Sequence, residues 1–596
     1  MKIAIYKIVV AAITITIVSI SNNLFYGSEA ASKIIEPPKV EAGSKDSRQP
    51  LTFCNPLNIE YRFTPGKPSR RMAADPVIVL FRDTYFLFST GSSEYWHSSD
   101  LVNWFLIPEE KSELPDHPTA PAVTVVGDEV YFIASSRGSG LFYKSTDLKS
   151  GKWELTKKSI PTWDPALFCD DDGRTYYYWG CSNSAPIQGV ELDKFSMKPK
   201  GEIKDFFKGN KEEHGWERRG DKHELPNSAW IEGPWMTKHG DTYYLQYAAP
   251  GTEFKSYADG VYTSKNPLGP FKYEPYSPFS HKPGGFIGGA GHGATFQDKY
   301  GNYWRVTTMV ISVLNMFERR VGIFPAGFDK DGVMYANTLL GDFPQIMPKE
   351  KRDPFANNLA EWMLLSYGKK ADASSSISGH EPQLAFDENV KTWWCGETSN
   401  KDEWLKVDLG KMCVVNAIQV NFAEHNANLF GREKSIYQQY ILEYSNDDRN
   451  WKTLVDKSKN VKDVPHDYIQ LSQPVKARFI KLINIHTPGD GPFSIRDLRF
   501  FGNGLGKVPQ EVDGLTVDRD SSDRRTARIT WNKSKDAAGY VTRYGITPKK
   551  LYNQYQVMGK TELKINSLNR DVGYYFSIDV FNENGYTKGT TIVESK

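Results

Sequence analysis

Three acidic residues stand in closely similar settings far apart in the chain: Asp75 in AADPVIV, Asp164 in TWDPALF and Glu232 in IEGPWM. Each is followed within two residues by Pro and then by an apolar stretch. Carboxyl groups of this kind suit the hydrolysis of a glycosidic bond. That reaction needs a proton donor for the leaving oxygen and a second carboxylate across the ring to activate water, which inverts the anomeric centre. An acid before Pro is more commonly a turn residue, so singly none of the three points to catalysis. The repetition is what turn chemistry leaves unexplained, because a fold that gathers three strand starts at one axis would make them one site.

The elements that would do the gathering are short hairpins. VIVLFRDTYFLFST (77–90), AVTVVGDEVYFIASS (122–136), ALFCDDDGRTYYYWG (166–180), WMTKHGDTYYLQYAA (235–249) and ATFQDKYGNYWRVTT (294–308) each read as a strand, an Asp or Gly turn and an aromatic-rich strand. Three of them are followed by strand-then-turn units of one shape: HSSDLVNW, YKSTDLKSGKW and YTSKNPLGPF. Five hairpins about 45 to 70 residues apart predict radial repetition of a small sheet, a five-bladed β-propeller over 51–350. A β-sandwich also alternates strands and turns and is the competing architecture. The three acids then head the first, third and fourth blades.

The 596 residues exceed what one core organises, so several domains are expected. Lys plus Arg total 74 against 72 Asp plus Glu, a formal charge of +2, so nothing draws nucleic acid or an anionic membrane and a neutral partner fits better. Residues 1–30 read as a secretory signal peptide, with Lys2 and Lys7 before the apolar run Ile8 to Ile20. That run is too short for a membrane span, which needs roughly 18 to 20 apolar residues. Secretion or release into a periplasm follows, with a polar linker over 31–50. Five cysteines are too few and too scattered for a disulfide framework or a CxxC zinc site. Cys169 and Cys181 fall in what read as adjacent strands and could pair, or could be two buried thiols.

ADPVIVLFRDTYFLFST, SSDLVNW, WDPALFCDDDGRTYYYWG, IEGPWMTKHGDTYYLQY and GHGATFQD together resemble the motifs of glycoside hydrolase family 43 over roughly 53–348. The resemblance implies an inverting five-bladed propeller that removes terminal arabinofuranose, xylose or galactose from polysaccharide or oligosaccharide. It implies Asp75 as general base, Glu232 as general acid and Asp164 as the residue that orients and tunes that acid. A carboxylate beside Glu232 would hold a proton on it near neutral pH, while Asp75 across the sugar stays ionised. His292, in GGAGHGAT, matches a position on the propeller axis where the resemblance implies a structural calcium reached through water; a lone His among glycines is otherwise a packed turn residue. No organic cofactor is implied. Arg319 falls where the resemblance implies contacts to sugar hydroxyls, with Arg320 as the competing choice. Among Trp96, Trp163 and Trp235, Trp163 is the preferred stacking residue for a sugar face. The segment 208–230 before Glu232 departs from the compact pattern and is expected to wall the pocket, which favours attack at chain ends.

Beyond the blades, AFDENVKTWW, WLKVDLG, YILEYSNDDRNW, ARFIKLI and IRDLRFFG resemble the discoidin, or coagulation factor type C, β-sandwich over 366–504. The resemblance implies a carbohydrate-binding module with sugar contacts in the loop 421–434 and calcium oxygens from AFDEN; packing against the catalytic domain is the equal alternative. Residues 508–596 resemble a fibronectin type III sandwich, with Trp531 and Tyr575 as core residues and a spacer role. The fold class is therefore all-β, a propeller followed by two sandwiches. A non-catalytic sugar-binding protein on a propeller scaffold is the rival function; loss of an acid would mark it, and all three acids are present.

Overall fold

The five hairpins form five separate antiparallel sheets, because each pairs a β-branched or aromatic strand with its neighbour across a tight turn. The computed structural model describes residues 49–64, 69–91, 93–138, 140–193, 196–431 and 435–595. The expected signal peptide and nearly all of the linker lie outside these. The first sheet runs Ala74–Phe81, Thr84–Thr90, Tyr95–Ser98 and Phe105–Ile107. The second holds Ala122–Val126, Glu129–Ile133, Leu141–Ser145 and Glu154–Ser159; the third Ala166–Cys169, Thr175–Trp179, Ile187–Leu192 and Pro199–Phe207. The fourth is built on Ile231–His239, Thr242–Ala249 and Ala258–Ser264, with Cys181–Ser182 added beside Ile231–His239. The fifth holds Gly288–Gln297, Tyr303–Val310, Arg319–Phe328 and Met334–Ala336.

Radial closure is visible in which strands touch. Ala74–Phe81 contacts Ala122–Val126, which contacts Ala166–Cys169, then Ile231–His239, then Gly288–Gln297, and the last returns to Ala74–Phe81. The first strand of each sheet therefore lines a common axis, and Ala74–Phe81 is buried on both faces, as a strand packed between neighbouring blades must be. Thr52–Phe53 pairs antiparallel with Gln345–Ile346, so the two ends of the ring clasp each other.

Two further sheet systems follow. Trp404–Phe422 and His466–His486 pair along most of their length, with register shifts that let the sheet fold over a core of Trp394, Leu405, Val420, Leu482 and Phe500. Thr516–Arg519, Ala527–Thr530 and Glu562–Ile565 form one layer, and Asn553–Met558, Gly539–Gly545 and Tyr574–Asn582 the core of the other, closing over Ile529, Trp531, Tyr544 and Phe576. Trp531 is a core residue as expected. Tyr575 is not: side chains alternate along Tyr574–Asn582, so Tyr574 and Phe576 point inward while Tyr575 turns out and donates to Glu594 at 3.2 Å.

Neither sandwich stands off from the propeller. Arg499, fully buried, forks onto Glu388 at 2.7 and 2.9 Å and also donates to the Asp342 carbonyl of the propeller. Arg71 of the propeller meets Asp463 at 2.6 Å and pairs with Glu424. Much of the loop expected to bind sugar is turned toward the propeller: Leu429 packs on Phe63, and Gly431 N–H donates to the Thr64 carbonyl. In AFDEN, Glu388 pairs with Arg499 and Asp387 accepts from the Thr392 hydroxyl. The last sandwich is likewise more than a spacer. Gly215 N–H donates to Leu568 O at 3.0 Å, Arg570 N–H to Glu213 O at 2.8 Å, and Arg218 pairs with Asp523 at 2.8 Å. No helix among the described residues is long and apolar enough to cross a membrane.

Candidate active site

The acid-Pro motif has a local cause in the ladders. Ala74 pairs with Thr90 and Val77 with Phe88, so Asp75 and Pro76 sit in a bulge between them. Glu232 pairs with Ala248 and Trp235 with Gln246, which leaves Gly233 and Pro234 in a second bulge. Asp164 and Pro165 stand just before Ala166–Cys169. Proline lacks an N–H, and a bulge or a strand start is where no ladder bond is lost. The irregularity turns each carboxyl out of the sheet toward the axis.

Backbone strain marks the same residues. Asp75, Asp164 and His292 have φ of +50°, +52° and +38°, in the left-handed region that non-glycine residues avoid. Such conformations cost of the order of 1–3 kcal/mol each and persist where surrounding structure imposes them. Gly233 has φ +58°, and a Cβ there would lie 2.5 Å from the His292 ring. The residue after Glu232 must therefore be glycine for both reasons. Bulges on either side of Gly291 deliver His292 to the axis.

Asp75, Asp164, Glu232, Trp163, His292 and Arg319, six residues singled out by sequence, all line one cavity of about 940 Å³. His292 Nδ1 lies 3.4 Å from Asp75 Oδ1 and 3.8 Å from Asp164 Oδ2, so one imidazole nitrogen stands between two carboxyls. Asp75 accepts from the Thr90 hydroxyl at 2.6 Å and from Arg319 at 3.2 Å. Burial alone would raise its pKa; Arg319, His292 and the Thr90 and Thr308 hydroxyls outweigh burial and hold it below the ordinary value. Asp75 is thus kept ionised. Asp164 is pushed up to about 7, by burial first and then by the charges of Glu232 and Asp75, which together exceed the opposing pull of His292. Asp164 thus carries a proton near neutral pH beside Glu232. His292 is raised in turn: burial would lower it, and Asp75, Asp164, Glu232 and Asp259 outweigh that.

Glu232 accepts on both oxygens, from the Tyr257 hydroxyl and from Cys181 Sγ at 3.2 Å. Burial and the neighbouring carboxylates push both donors up, so each keeps its proton and remains a donor. Neither residue was expected at the site. Tyr257 carries no motif, and Cys181 was read only as a possible partner for Cys169 or as one of two buried thiols. The two cysteines are free and lie in different sheets, Cys169 in the third and Cys181 in the short strand paired to Ile231–His239.

Tryptophan and arginine choices separate cleanly. Trp163 lines the cavity with Arg137 over its ring at 5.1 Å, whereas Trp96 is core and the Trp235 indole donates to the Thr295 carbonyl. Arg319 lines the cavity; Arg320 instead donates to His466 of the first sandwich at 2.7 Å. The segment 208–230 contributes Arg219 and Trp230 to the wall, as expected, and Met316 and Phe317 form a further apolar rim that no sequence motif announced. Around His292, Asp75 Oδ2 accepts from the Thr90 hydroxyl and Asp75 Oδ1 from Arg319, and Asp164 Oδ1 accepts from the Ser135 hydroxyl, while Asp164 Oδ2 faces Nδ1 at 3.8 Å.

Residues 69–334 match the family described as Glycosyl hydrolases family 43, and residues 370–498 match the F5/8 type C domain. Over 237 residues the chain is 25% identical to a protein of Aspergillus niger named beta-D-galactofuranosidase xynD, covering 34% of this chain and 64% of that one. It is 26% identical over 293 residues to the non-reducing end alpha-L-arabinofuranosidase BoGH43B of Bacteroides ovatus, 44% of this chain and 51% of the relative. A xylan 1,3-beta-xylosidase of a Vibrio species is 27% identical over 272 residues, 39% and 46% of the two chains. The chain spans about half the length of the curated relatives it matches. The matched span 69–334 contains all six cavity residues predicted from sequence, so the ring of sheets around the three acids is the part of the chain that matches the glycosyl hydrolases family 43 model, and the sheet system after it is the part that matches the F5/8 type C model.

Proposed function

We propose that the protein is an inverting glycoside hydrolase that removes a terminal sugar of the arabinofuranose, xylose or galactose class from a polysaccharide. The observation that carries this is the convergence of Asp75, Asp164 and Glu232 on one cavity with opposite electrostatic tuning, one carboxyl held ionised and another holding a proton near neutral pH. Asp75 takes a proton from water as the water oxygen bonds to the anomeric carbon. Glu232 gives a proton to the glycosidic oxygen as its bond to that carbon breaks. Asp164 and Glu232, with carboxyl oxygens within 4.8 Å of each other, share the proton that Glu232 delivers, and low local dielectric strengthens that coupling. Arg319 orients the ring beside Asp75, and Trp163 offers it a stacking face. The wall formed by Arg219 and Trp230 closes the cavity on one side and favours chain-end attack. In this reading the second domain docks as a carbohydrate-binding-type module, the last is a fibronectin type III-like brace, and the protein acts after export.

Turnover of nitrophenyl arabinofuranoside, xyloside and galactoside, with the product anomer followed by proton NMR, tests the proposal. Inverted product and loss of turnover in Asp75→Asn and Glu232→Gln, both with unchanged circular dichroism, are expected. Retained configuration or an active Asp75→Asn would overturn the assigned base.

A further inference from the structure

One wall of the cavity is more basic than hydrolysis of a neutral sugar requires. Arg70 and Arg319 both line it, and their guanidinium carbons lie 5.7 and 5.4 Å from the centroid of the same ring, Phe317. Arg319 has a carboxylate, Asp75, at 3.2 Å. Arg70 forms no ion pair among the described residues, and its pKa is lowered by burial and then by the charge of Arg319. The Nε–H groups of both arginines are buried without a hydrogen-bond partner among the described residues. A buried donor left unmade costs roughly 1–3 kcal/mol, more on a charged group, and two such donors on one wall call for an acceptor from outside the chain.

Charge over the whole lining points the same way. Four guanidiniums, Arg70, Arg137, Arg219 and Arg319, face four carboxyls, Asp75, Asp164, Glu232 and Glu253. Arg219 is used by Glu253 at 2.6 Å and Arg319 by Asp75. Asp164, pushed up to about 7, is protonated below neutral pH. Among the described residues Arg70 and Arg137 form no ion pair, and both line the same cavity: Arg70 against Phe317, Arg137 over Trp163. Exposed Met316, Phe317 and Trp230 beside them supply apolar surface for the faces of sugar rings.

We infer that the glycan seated in this cavity carries an oxyanion, a uronate carboxylate or a sulfate ester, which the Arg70 guanidinium receives against the Phe317 wall. The planar fork of arginine matches either group with two parallel N–H···O bonds. The inference rests on reading the cavity as a sugar site, and its test is a binding measurement that needs no turnover. Full-length protein is titrated with glucose, glucuronate, glucose 6-sulfate and inorganic sulfate, at low and high sodium chloride, and the series is repeated with Arg70→Gln and Arg70→Lys.

At least one of the two anionic sugars is expected to bind on the order of tenfold or more tightly than glucose, and the better of the two names the oxyanion. High salt weakens only the anionic sugars. Arg70→Gln removes the advantage and Arg70→Lys restores part of it. Equal binding of glucose and both anionic sugars overturns the inference and leaves the hydrolase reading standing. So does an anion advantage that survives in Arg70→Gln, or sulfate binding with no preference for an attached sugar. Binding of none of the sugars removes the sugar cavity itself, and the inference with it.

Discussion

Replacing Asp164 by Asn should make the protein more stable at high pH while abolishing turnover. In the folded chain Asp164 is buried among Glu232, Asp75 and His292, and its pKa stands at about 7 against an ordinary value of 3.8. Between those two values the folded state holds a proton that the unfolded chain has released, so stability falls as pH rises through this window and levels off above it. At about 1.4 kcal/mol per pH unit, the rise amounts to ~4 kcal/mol of stability missing above neutral pH. Asn has no proton to lose and carries no such slope. Denaturant unfolding of wild type and Asp164→Asn at pH 4 and pH 8.5 reads the effect as a difference of differences: the variant should gain on wild type by ~4 kcal/mol between the two conditions. Loss of turnover in the stabilised variant would show a charge kept for function at the expense of stability. The same gap between the two proteins at both pH values would refute the assignment of the held proton to Asp164.

Gly233→Ala puts a Cβ 2.5 Å from the His292 ring at a φ of +58°; the left-handed backbone costs about 1–2 kcal/mol and the clash about 1–3 more. His292 must then leave its place between Asp75 and Asp164, so kcat should fall by at least tenfold, and a Gly233→Ala enzyme of wild-type kcat would contradict the packing argument. Gly215→Val strikes the docking of the last sandwich, because a Cβ at 215 meets the Leu568 carbonyl at 2.5 Å. Since 215 belongs to the segment that brings Arg219 and Trp230 to the cavity, KM should rise severalfold with kcat little changed; a change in kcat alone would place the effect elsewhere.

Local pattern was enough to read the five hairpins, the acid-Pro recurrence and the switch to a different strand spacing beyond the blades. Each of these depends on neighbours within a dozen residues: period-two alternation, Asp and Gly at turns, and a Pro tolerated only where a ladder is interrupted. Trp531 was legible in this way, while Tyr575 was misread by one position because three successive aromatic residues hide the pleat. Convergence of Asp75, Asp164 and Glu232 was inferred correctly only because equivalent positions in repeated sheets must face one axis. The residues that do not repeat stayed hidden. Tyr257 and Cys181 reach Glu232 from segments with no motif, and Phe317 joins Arg70 to Arg319 across 249 positions of chain bridged by no shared pattern. The upward push on Asp164 was likewise beyond the sequence, since it follows from burial and from the distances among four charged groups. The docking of both sandwiches, through Arg499 on Glu388 and Gly215 against Leu568, also belongs to the assembled chain, because contacts between surfaces leave no periodic trace in either partner.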